Sequence, residues 1–198
     1  MTPASHEDAL VMRDTVAWLE RAVIGLNLCP FAKAVHAKGQ IHYAVSHATD
    51  TAVLERDLVD ELRGLVDTEP AERDTTLLIA PYCLHDFLDY NDFLMLADDA
   101  LANLRLQDDI QIASFHPRYQ FAGTDPEDAT NNTNRSPYPM LHLLREASVA
   151  RAVAAVPEAA DIYERNMETM QALGNEGWAA LGLDPSLPQS AAPAKGSQ

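Results

Sequence analysis

One segment of the chain, from Ser114 to Glu146, concentrates side chains that can bind or protonate a small molecule. It holds two of the seven histidines, His116 and His142. Three arginines lie in the same segment: Arg118, Arg135 and Arg145. Histidine moves protons near neutral pH, and arginine binds carboxylates or phosphates through paired hydrogen bonds. We therefore predict an enzyme that acts on a small anionic metabolite by histidine acid–base chemistry, with arginines binding the anion.

The predicted roles follow from side-chain chemistry. Acid–base catalysis is predicted for His116, His142 and Tyr119. Anion binding is predicted for six residues: Arg118, Asn132, Asn134, Arg135, Tyr138 and Arg145. Of the eight residues other than Asn132, we expect at least four to line one concave pocket. The alternative is a structurally pinned loop in which each arginine pairs with a local carboxylate, such as Asp125, Asp128 or Glu146.

Two other functions stay open at this point. A metal-dependent enzyme of the non-haem iron type could use two histidines and one carboxylate, with His116, Asp125 and His142 as candidates. Their spacing is looser than that of a recognised motif. A non-catalytic binding or regulatory domain could instead hold an anionic ligand with the same arginines. The residues name no cofactor.

The two cysteines, Cys29 and Cys83, exclude a disulfide framework and a structural zinc site, because neither belongs to a Cys-x-x-Cys pair. A thiol near Lys33 could have a lowered pKa and act as a nucleophile. Cys29, however, falls at the end of a predicted helix, where the negative end of the dipole disfavours the thiolate. We favour a structural role for both cysteines.

Apolar periodicity predicts the elements that position these residues. Helices are expected near Ala9–Leu28, Thr51–Val66 and Asp86–Arg105, and strands near Ile41–Ser46, Thr75–Ala80 and Ile110–Phe115. This alternation indicates an α/β or α+β fold with a small sheet of about three or four strands covered by helices, a ferredoxin-like sandwich being one candidate. Six residues are expected in the core: Leu54, Leu58, Leu62, Leu94, Leu101 and Ile112.

The chain after Phe115 is predicted to start with a long functional loop, because residues 116–135 show neither a helical nor an alternating period. Ser136 followed by Pro137 resembles a helix start, so we predict a helix through Leu141, Leu144 and Ala147. On that helix, three candidate site residues would share one face: Tyr138, His142 and Arg145.

The C-terminal part is predicted to contain a last helix bracketed by Pro157 and Gly174. Residues 1–183 are expected to form a single globular domain. Residues 184–198, rich in Pro, Ala and Ser, are expected to form a disordered tail.

The composition of the chain limits the classes of molecule that it is expected to bind. Thirty acidic and 14 basic residues give a formal charge of −16, which argues against nucleic acid because phosphate neutralisation needs clustered Lys and Arg. No apolar run approaches the length of a membrane span, and the N-terminus lacks the features of a secretion signal. We expect a cytoplasmic protein that binds a small anionic ligand and neither nucleic acid nor membrane. Its oligomeric state stays open.

Three strings within the chain resemble a bacterial family known only as domain of unknown function 1415: WLERAVIGLNLCPFA (Trp18 to Ala32), SFHPRYQFAG (Ser114 to Gly123) and NNTNRSPYPMLHLLRE (Asn131 to Glu146). The resemblance covers about Ala9 to Leu183. It implies a compact globular domain with the segmentation described above, and it names no substrate.

Overall fold

Four strands form a single mixed sheet in the computed structural model, which describes residues 5–155 and 161–188. The strands are β1 (Ile41–Val45), β2 (Thr75–Ile79), β3 (Ile110–Phe115) and β4 (Met140–Arg145). The α-helices are α1 (His6–Trp18), α2 (Ala32–Ala37), α3 (Thr51–Asp67), α4 (Phe87–Leu104), α5 (Glu146–Ala155) and α6 (Ile162–Ala179). A π-helical segment, Leu19–Ile24, continues α1, and a 3₁₀ helix spans Ala129–Asn134.

The strand order in the sheet is β1-β2-β4-β3. β1 and β2 pair in parallel, and α3 connects them. β4 lies between β2 and β3 and is antiparallel to both. The fold is therefore α+β, as expected. Along the chain the elements of the sheet run β-α-β-α-β-β, which differs from the β-α-β-β-α-β order of a ferredoxin-like domain.

One face of the sheet packs against α3 and α4. Leu54, Leu58, Leu62 and Leu65 recur every three or four residues along α3, so they form one stripe, and all four are buried. Asp50 begins this helix by accepting a hydrogen bond from the Val53 amide. Of the predicted core, Leu54, Leu58, Leu62 and Leu101 are confirmed as buried, whereas Leu94 and Ile112 are partly buried against the same cluster.

The opposite face of the sheet packs against α1 and the π-helical segment. Ser5 and Asp8 form a capping box at the start of α1. Trp18, Leu19 and Val23 then pack on Leu77 and Met140 of the sheet. The predicted first helix is α-helical only as far as Trp18, and the wider turns that follow change the direction in which its last side chains point.

The predicted helix through Leu141, Leu144 and Ala147 is wrong. Residues 140–145 form the inner strand β4, and helix α5 begins only at Glu146. An inner strand is covered on both faces, so its apolar residues do not alternate with polar ones. Tyr138, His142 and Arg145 consequently do not share a helix face.

The last helix, α6, begins at Ile162 and extends beyond the predicted end at Gly174. Gly174 has φ 65°, a left-handed value that bends the helix, after which it continues to Ala179. Pro157 lies outside the described residues. Of the predicted tail, residues 184–188 are described and contact α1 through Ser186 and Asp14. None of the helices in the described part of the chain has the length and apolar character that crossing a membrane requires.

Candidate functional site

His116 is fully buried, and both of its ring nitrogens are hydrogen-bonded to backbone groups. Nε2 lies 3.0 Å from the Leu84 carbonyl oxygen, and Nδ1 accepts from the Arg118 amide at 3.0 Å. These partners require a neutral ring with the proton on Nε2. Burial lowers the pKa of His116 to about 4, against a smaller opposing effect of the bond to Leu84. The contacts make His116 a link between the start of the 116–135 loop and the segment before α4.

The arginines of the loop donate mainly to carbonyl oxygens of the protein. Arg118 donates to the His85 carbonyl at 2.6 Å and lies 3.3 Å from the Asp86 carboxylate. Arg135 donates to the carbonyls of Tyr119 (3.3 Å) and Pro126 (2.7 Å) and to the Asn132 side chain (3.1 Å). Both guanidinium groups therefore hold the loop in place.

The remaining candidates of the loop also bind protein groups. Asn132 donates to the Asn175 side chain of α6 at 3.1 Å, and Asn134 donates to the Ser114 carbonyl at 3.1 Å. The Tyr119 ring packs between Phe87 and Phe121, with centroid distances of 5.2 and 5.1 Å. The predicted roles of these residues in catalysis and anion binding stay predictions, and the geometry gives each of them a structural contact.

Tyr138 is fully buried, and its hydroxyl donates to Asp14 of α1 at 2.8 Å. Asp14 also accepts hydrogen bonds from the Ser186 backbone at 2.7 Å and from the Ser186 hydroxyl at 3.0 Å. Burial by itself would raise the pKa of Asp14, but these hydrogen bonds together lower it. Asp14 therefore joins three segments that are far apart in the sequence. Its role is not visible there, because it occupies one of many acidic helix positions.

Arg145 closes the C-terminal end of α3. Its Nη2 donates to the carbonyls of Leu65, Thr68 (2.5 Å) and Arg73 (3.2 Å). The last carbonyls of a helix have no partner within the helix, so a positive group is favourable there. The Nε atom of Arg145 is buried without a hydrogen-bond partner in the described residues.

The metal candidates do not meet in one place. His116 is bonded to backbone groups, and Asp125 accepts from the amide of Glu127 in its own loop at 2.9 Å. Within residues 5–155 and 161–188, no three His, Cys, Asp or Glu side chains are grouped in a way that could hold a metal ion.

His142 lies at the floor of a partly enclosed cavity of about 290 Å³ between the sheet and the helices that cover it. The walls are mostly apolar. They come from the sheet (Ile41, Leu77, Ala113, Phe115, Leu144), from α1 and the segment after it (Trp18, Leu19, Val23, Cys29, Phe31), and from α2 and α5 (Val35, Val149, Ala152). Polar groups form only a small part of this surface, so we call the space the apolar cavity. Its volume is near the lower end of ligand pockets, about 300 Å³.

A hydrogen-bonded chain holds the His142 ring on the cavity floor. His142 Nε2 lies 2.7 Å from the Thr75 hydroxyl, and that hydroxyl donates to the Leu143 carbonyl at 2.6 Å. Nδ1 has no hydrogen-bond partner among the described residues and is not one of the fully buried polar atoms. Burial lowers the pKa of His142 to about 4, so the ring is neutral at pH 7.

The apolar cavity also contains the Cys29 side chain. Burial raises the pKa of this thiol, which opposes formation of the thiolate. Burial likewise raises the pKa of Cys83 to about 11, helped by the negative charges of Asp50 and Asp57. Both shifts agree with the predicted structural role of the cysteines.

A larger cleft of about 540 Å³ lies beside the starts of α3 and α4. It is wide open to solvent, and four aspartates line it: Asp50, Asp86, Asp89 and Asp92. Their charges repel anions, and an open acidic surface buries little of a small ligand. The apolar cavity is therefore the better candidate for a binding site.

A family model described as a protein of unknown function, DUF1415, matches residues 10–180. The chain belongs to the DUF1415 family. Neither the curated proteins nor the solved structures contain a match.

In this DUF1415 protein, the predicted site residues do not converge on one pocket. His142 and Arg145 both line the apolar cavity. Arg135 lines a separate cleft of about 240 Å³ beside Trp18 and Trp178. The remaining candidates line neither space.

Sequence reasoning missed Thr75 and the apolar walls of the cavity in this DUF1415 protein. Thr75 begins a buried strand and is 67 residues from His142 in the chain. The available signal was a pair of threonines, Thr75 and Thr76, at the start of an otherwise apolar strand segment, a pattern that also fits a strand end.

Proposed function

We propose that this protein binds a small, mostly apolar organic molecule in the apolar cavity, with His142 making the main polar contact. The observation that supports this most is a partly enclosed, mostly apolar cavity with one neutral, oriented histidine on its floor. Ligand pockets commonly combine apolar walls with a few placed polar groups that fix the orientation of the ligand.

The volume limits the ligand to about the size of one or two fused rings. A dry cavity of roughly 150 Å³ is enough for benzene. The apolar cavity has about 290 Å³, and it therefore has room for a bicyclic molecule. Burial of such a ligand contributes about 25 cal/mol for each Å² of apolar surface removed from water.

Binding explains this geometry better than acid–base catalysis on an anionic metabolite. An anion placed against apolar walls loses its hydration without gaining partners. Arg118 and Arg135 are bonded to protein carbonyls, and the Arg145 guanidinium donates to the end of α3. A histidine with a pKa of about 4 is also a weak base at neutral pH. Of the functions that the sequence left open, the geometry favours the non-catalytic binding domain, with an apolar ligand in place of an anionic one.

Titration with 2-naphthol by isothermal calorimetry tests this proposal. We expect saturable binding with one molecule per chain, and an increase in melting temperature because a ligand of the folded state stabilises it. In Ala113→Phe the new ring should occupy the cavity and raise the Kd of 2-naphthol at least about tenfold, since Ala113 lies opposite His142 on β3. The matched control is Ala102→Phe on the exposed side of α4, which should leave the Kd unchanged.

Two results would overturn the proposal. One is the absence of saturable binding by both 2-naphthol and its methyl ether. The other is a Kd for 2-naphthol that stays the same in a folded Ala113→Phe protein.

A further inference from the structure

We infer that the apolar cavity selects ligands that carry a hydrogen-bond donor, a hydroxyl or an N–H group, directed at Nδ1 of His142. This inference rests on the proposed function, and it adds the chemical class of the ligand. It predicts discrimination against a molecule of similar shape whose polar atom can only accept.

The preference follows from which ring nitrogen carries the proton. Thr75 has one hydroxyl hydrogen, and the Leu143 carbonyl at 2.6 Å can only accept it. The contact of 2.7 Å between the same hydroxyl and His142 Nε2 must then use a hydrogen on Nε2. A neutral imidazole protonated on Nε2 has a lone pair on Nδ1. His142 can therefore offer the cavity an acceptor and no donor.

Nδ1 has no competing partner among the described residues. No hydrogen bond joins it to any described residue, and His142 is only partly buried although it lies in an inner strand of the sheet. An acceptor shielded from bulk water gains from a ligand that donates to it, whereas an acceptor-only ligand leaves it unpaired.

Two of the other polar side chains of the cavity, Ser148 and Asp74, are occupied by protein partners. The Ser148 hydroxyl donates to Asp74 at 2.6 Å and accepts from Arg151 at 2.9 Å, so these groups are partnered with one another. Gln111 also lines the cavity, and its amide can donate or accept. Gln111 therefore tolerates either kind of ligand. Arg145 also lines the cavity and carries a donor, Nε, without a partner among the described residues, so the contribution of His142 is the part of the discrimination that His142→Leu removes.

Two probes of similar shape test the inference: 2-naphthol, which donates through its hydroxyl, and 2-methoxynaphthalene, which can only accept. The quantity to measure is the ratio of their affinities. The Kd of 2-methoxynaphthalene divided by the Kd of 2-naphthol should be at least about fivefold larger in the wild-type protein than in His142→Leu. This substitution places an apolar side chain at the same position. Comparing ratios cancels the difference in hydrophobicity between the probes.

Thr75→Val tests the role of the hydroxyl that holds the tautomer. Without it, both neutral forms of His142 become accessible, so the affinity ratio should move toward the His142→Leu value. Thr76→Val is the matched control: Thr76 is the next residue of β2, and its hydroxyl accepts from Arg73 rather than contacting His142. Its ratio should equal that of the wild-type protein.

A long-range ¹H–¹⁵N NMR spectrum of the ligand-free wild-type protein reads the tautomer directly and does not depend on any variant folding. We expect the proton of His142 on Nε2. A proton on Nδ1 would overturn the inference. Equal affinity ratios in the wild-type protein and in folded His142→Leu would also overturn it while leaving the proposed function intact, whereas failure of both probes to bind would overturn both.

Discussion

Polar side chains of the 116–135 loop bind the backbone of the loop itself and of neighbouring segments. Asn131 accepts from the Phe121 amide at 3.0 Å and donates to the Asp125 carbonyl at 2.9 Å. Arg135 reaches two further carbonyls of the loop. A long loop contains many backbone groups without regular partners, so side chains must satisfy them when the loop is partly buried. At the scale of single residues, the polar density of this segment reflects that requirement.

The first prediction concerns Arg135. Arg135→Ala should lower the free energy of unfolding by about 2 kcal/mol, because it removes three hydrogen bonds from a charged donor. Two of the acceptors, the Tyr119 carbonyl and the Asn132 side-chain oxygen, are partly buried and lose this donor. Urea denaturation measures the change. The control is Arg63→Ala, whose side chain is 61% exposed and whose loss should cost less than about 0.5 kcal/mol. A similarly small cost for Arg135→Ala would instead place this arginine among ligand-binding residues.

The second prediction concerns pH. The pKa of His116 is lowered to about 4 in the folded protein, whereas an unfolded histidine has a pKa of about 6.5. Below pH 6.5 the unfolded chain therefore binds more protons, so the stabilisation is complete above that pH and is lost as the pH falls toward 4. His142 contributes with the same sign.

The urea concentrations at the midpoint of unfolding, measured from pH 7 to pH 5, test whether stability falls as the pH falls. The decrease in stability should be smaller in His116→Asn than in the wild-type protein. It should be unaltered in Leu88→Ala, a variant at a side chain that is 71% exposed, because this substitution changes no titratable group. Stability that rises as the pH falls through this range would contradict the prediction.

At the scale of elements, the sequence predicted those whose apolar pattern is local. The strand predicted at Ile110–Phe115 has the observed bounds, and the helix predicted from Thr51 differs from α3 by one residue at its end. β4 could not be recognised in this way. Its run Met140–Leu144 faces helices on both sides of the sheet, and Ser136 with Pro137 before it resembles a helix start.

The candidate site was predictable only in part, for a related reason. His142 is noticeable as a histidine among leucines, but its neighbours depend on the strand order. Thr75 meets it because β2 and β4 pair antiparallel, and the cavity walls include Leu19 and Val23 of the π-helical segment. Neither feature leaves a periodic signal in the sequence. The predicted site was therefore centred on the loop and not on the sheet.

The third prediction tests the packing of α3. Leu58→Ala should destabilise the protein by about 2–5 kcal/mol, because Leu58 is fully buried in the cluster between α3, α4 and the sheet. Leu88→Ala on α4 is the control, since Leu88 is 71% exposed and should lose less than about 0.5 kcal/mol. Chemical denaturation measures the free energy of unfolding of both variants. Equal losses of stability in the two variants would mean that α3 is not packed as described.

At the scale of the whole molecule, the ends of the described chain are joined through one buried carboxylate. Asp14 of α1 accepts from Tyr138, which precedes β4, and from Ser186 near the C-terminus. Arg13 also donates to Asp14 at 3.0 Å. Such a group stabilises the fold only while its partners are present, because an unpaired buried charge is costly. The N-terminal helix and the C-terminal segment are thus expected to depend on each other.

The last prediction measures that dependence with a double-mutant cycle of Asp14→Asn and Tyr138→Phe. Asp14→Asn removes the charge and Tyr138→Phe removes the donor of the same hydrogen bond of 2.8 Å, so the double variant should lose less stability than the two single losses added together. The difference should be about 1 kcal/mol, the amount by which a hydrogen bond to a charged partner exceeds one to a neutral partner. Asp14→Asn combined with Leu88→Ala is the control, because Leu88 makes no hydrogen bond to Asp14, and these two losses should add to within about 0.5 kcal/mol. Additive losses for Asp14→Asn and Tyr138→Phe would show that the two side chains act independently, and Asp14 would then hold the C-terminal segment through Ser186 alone.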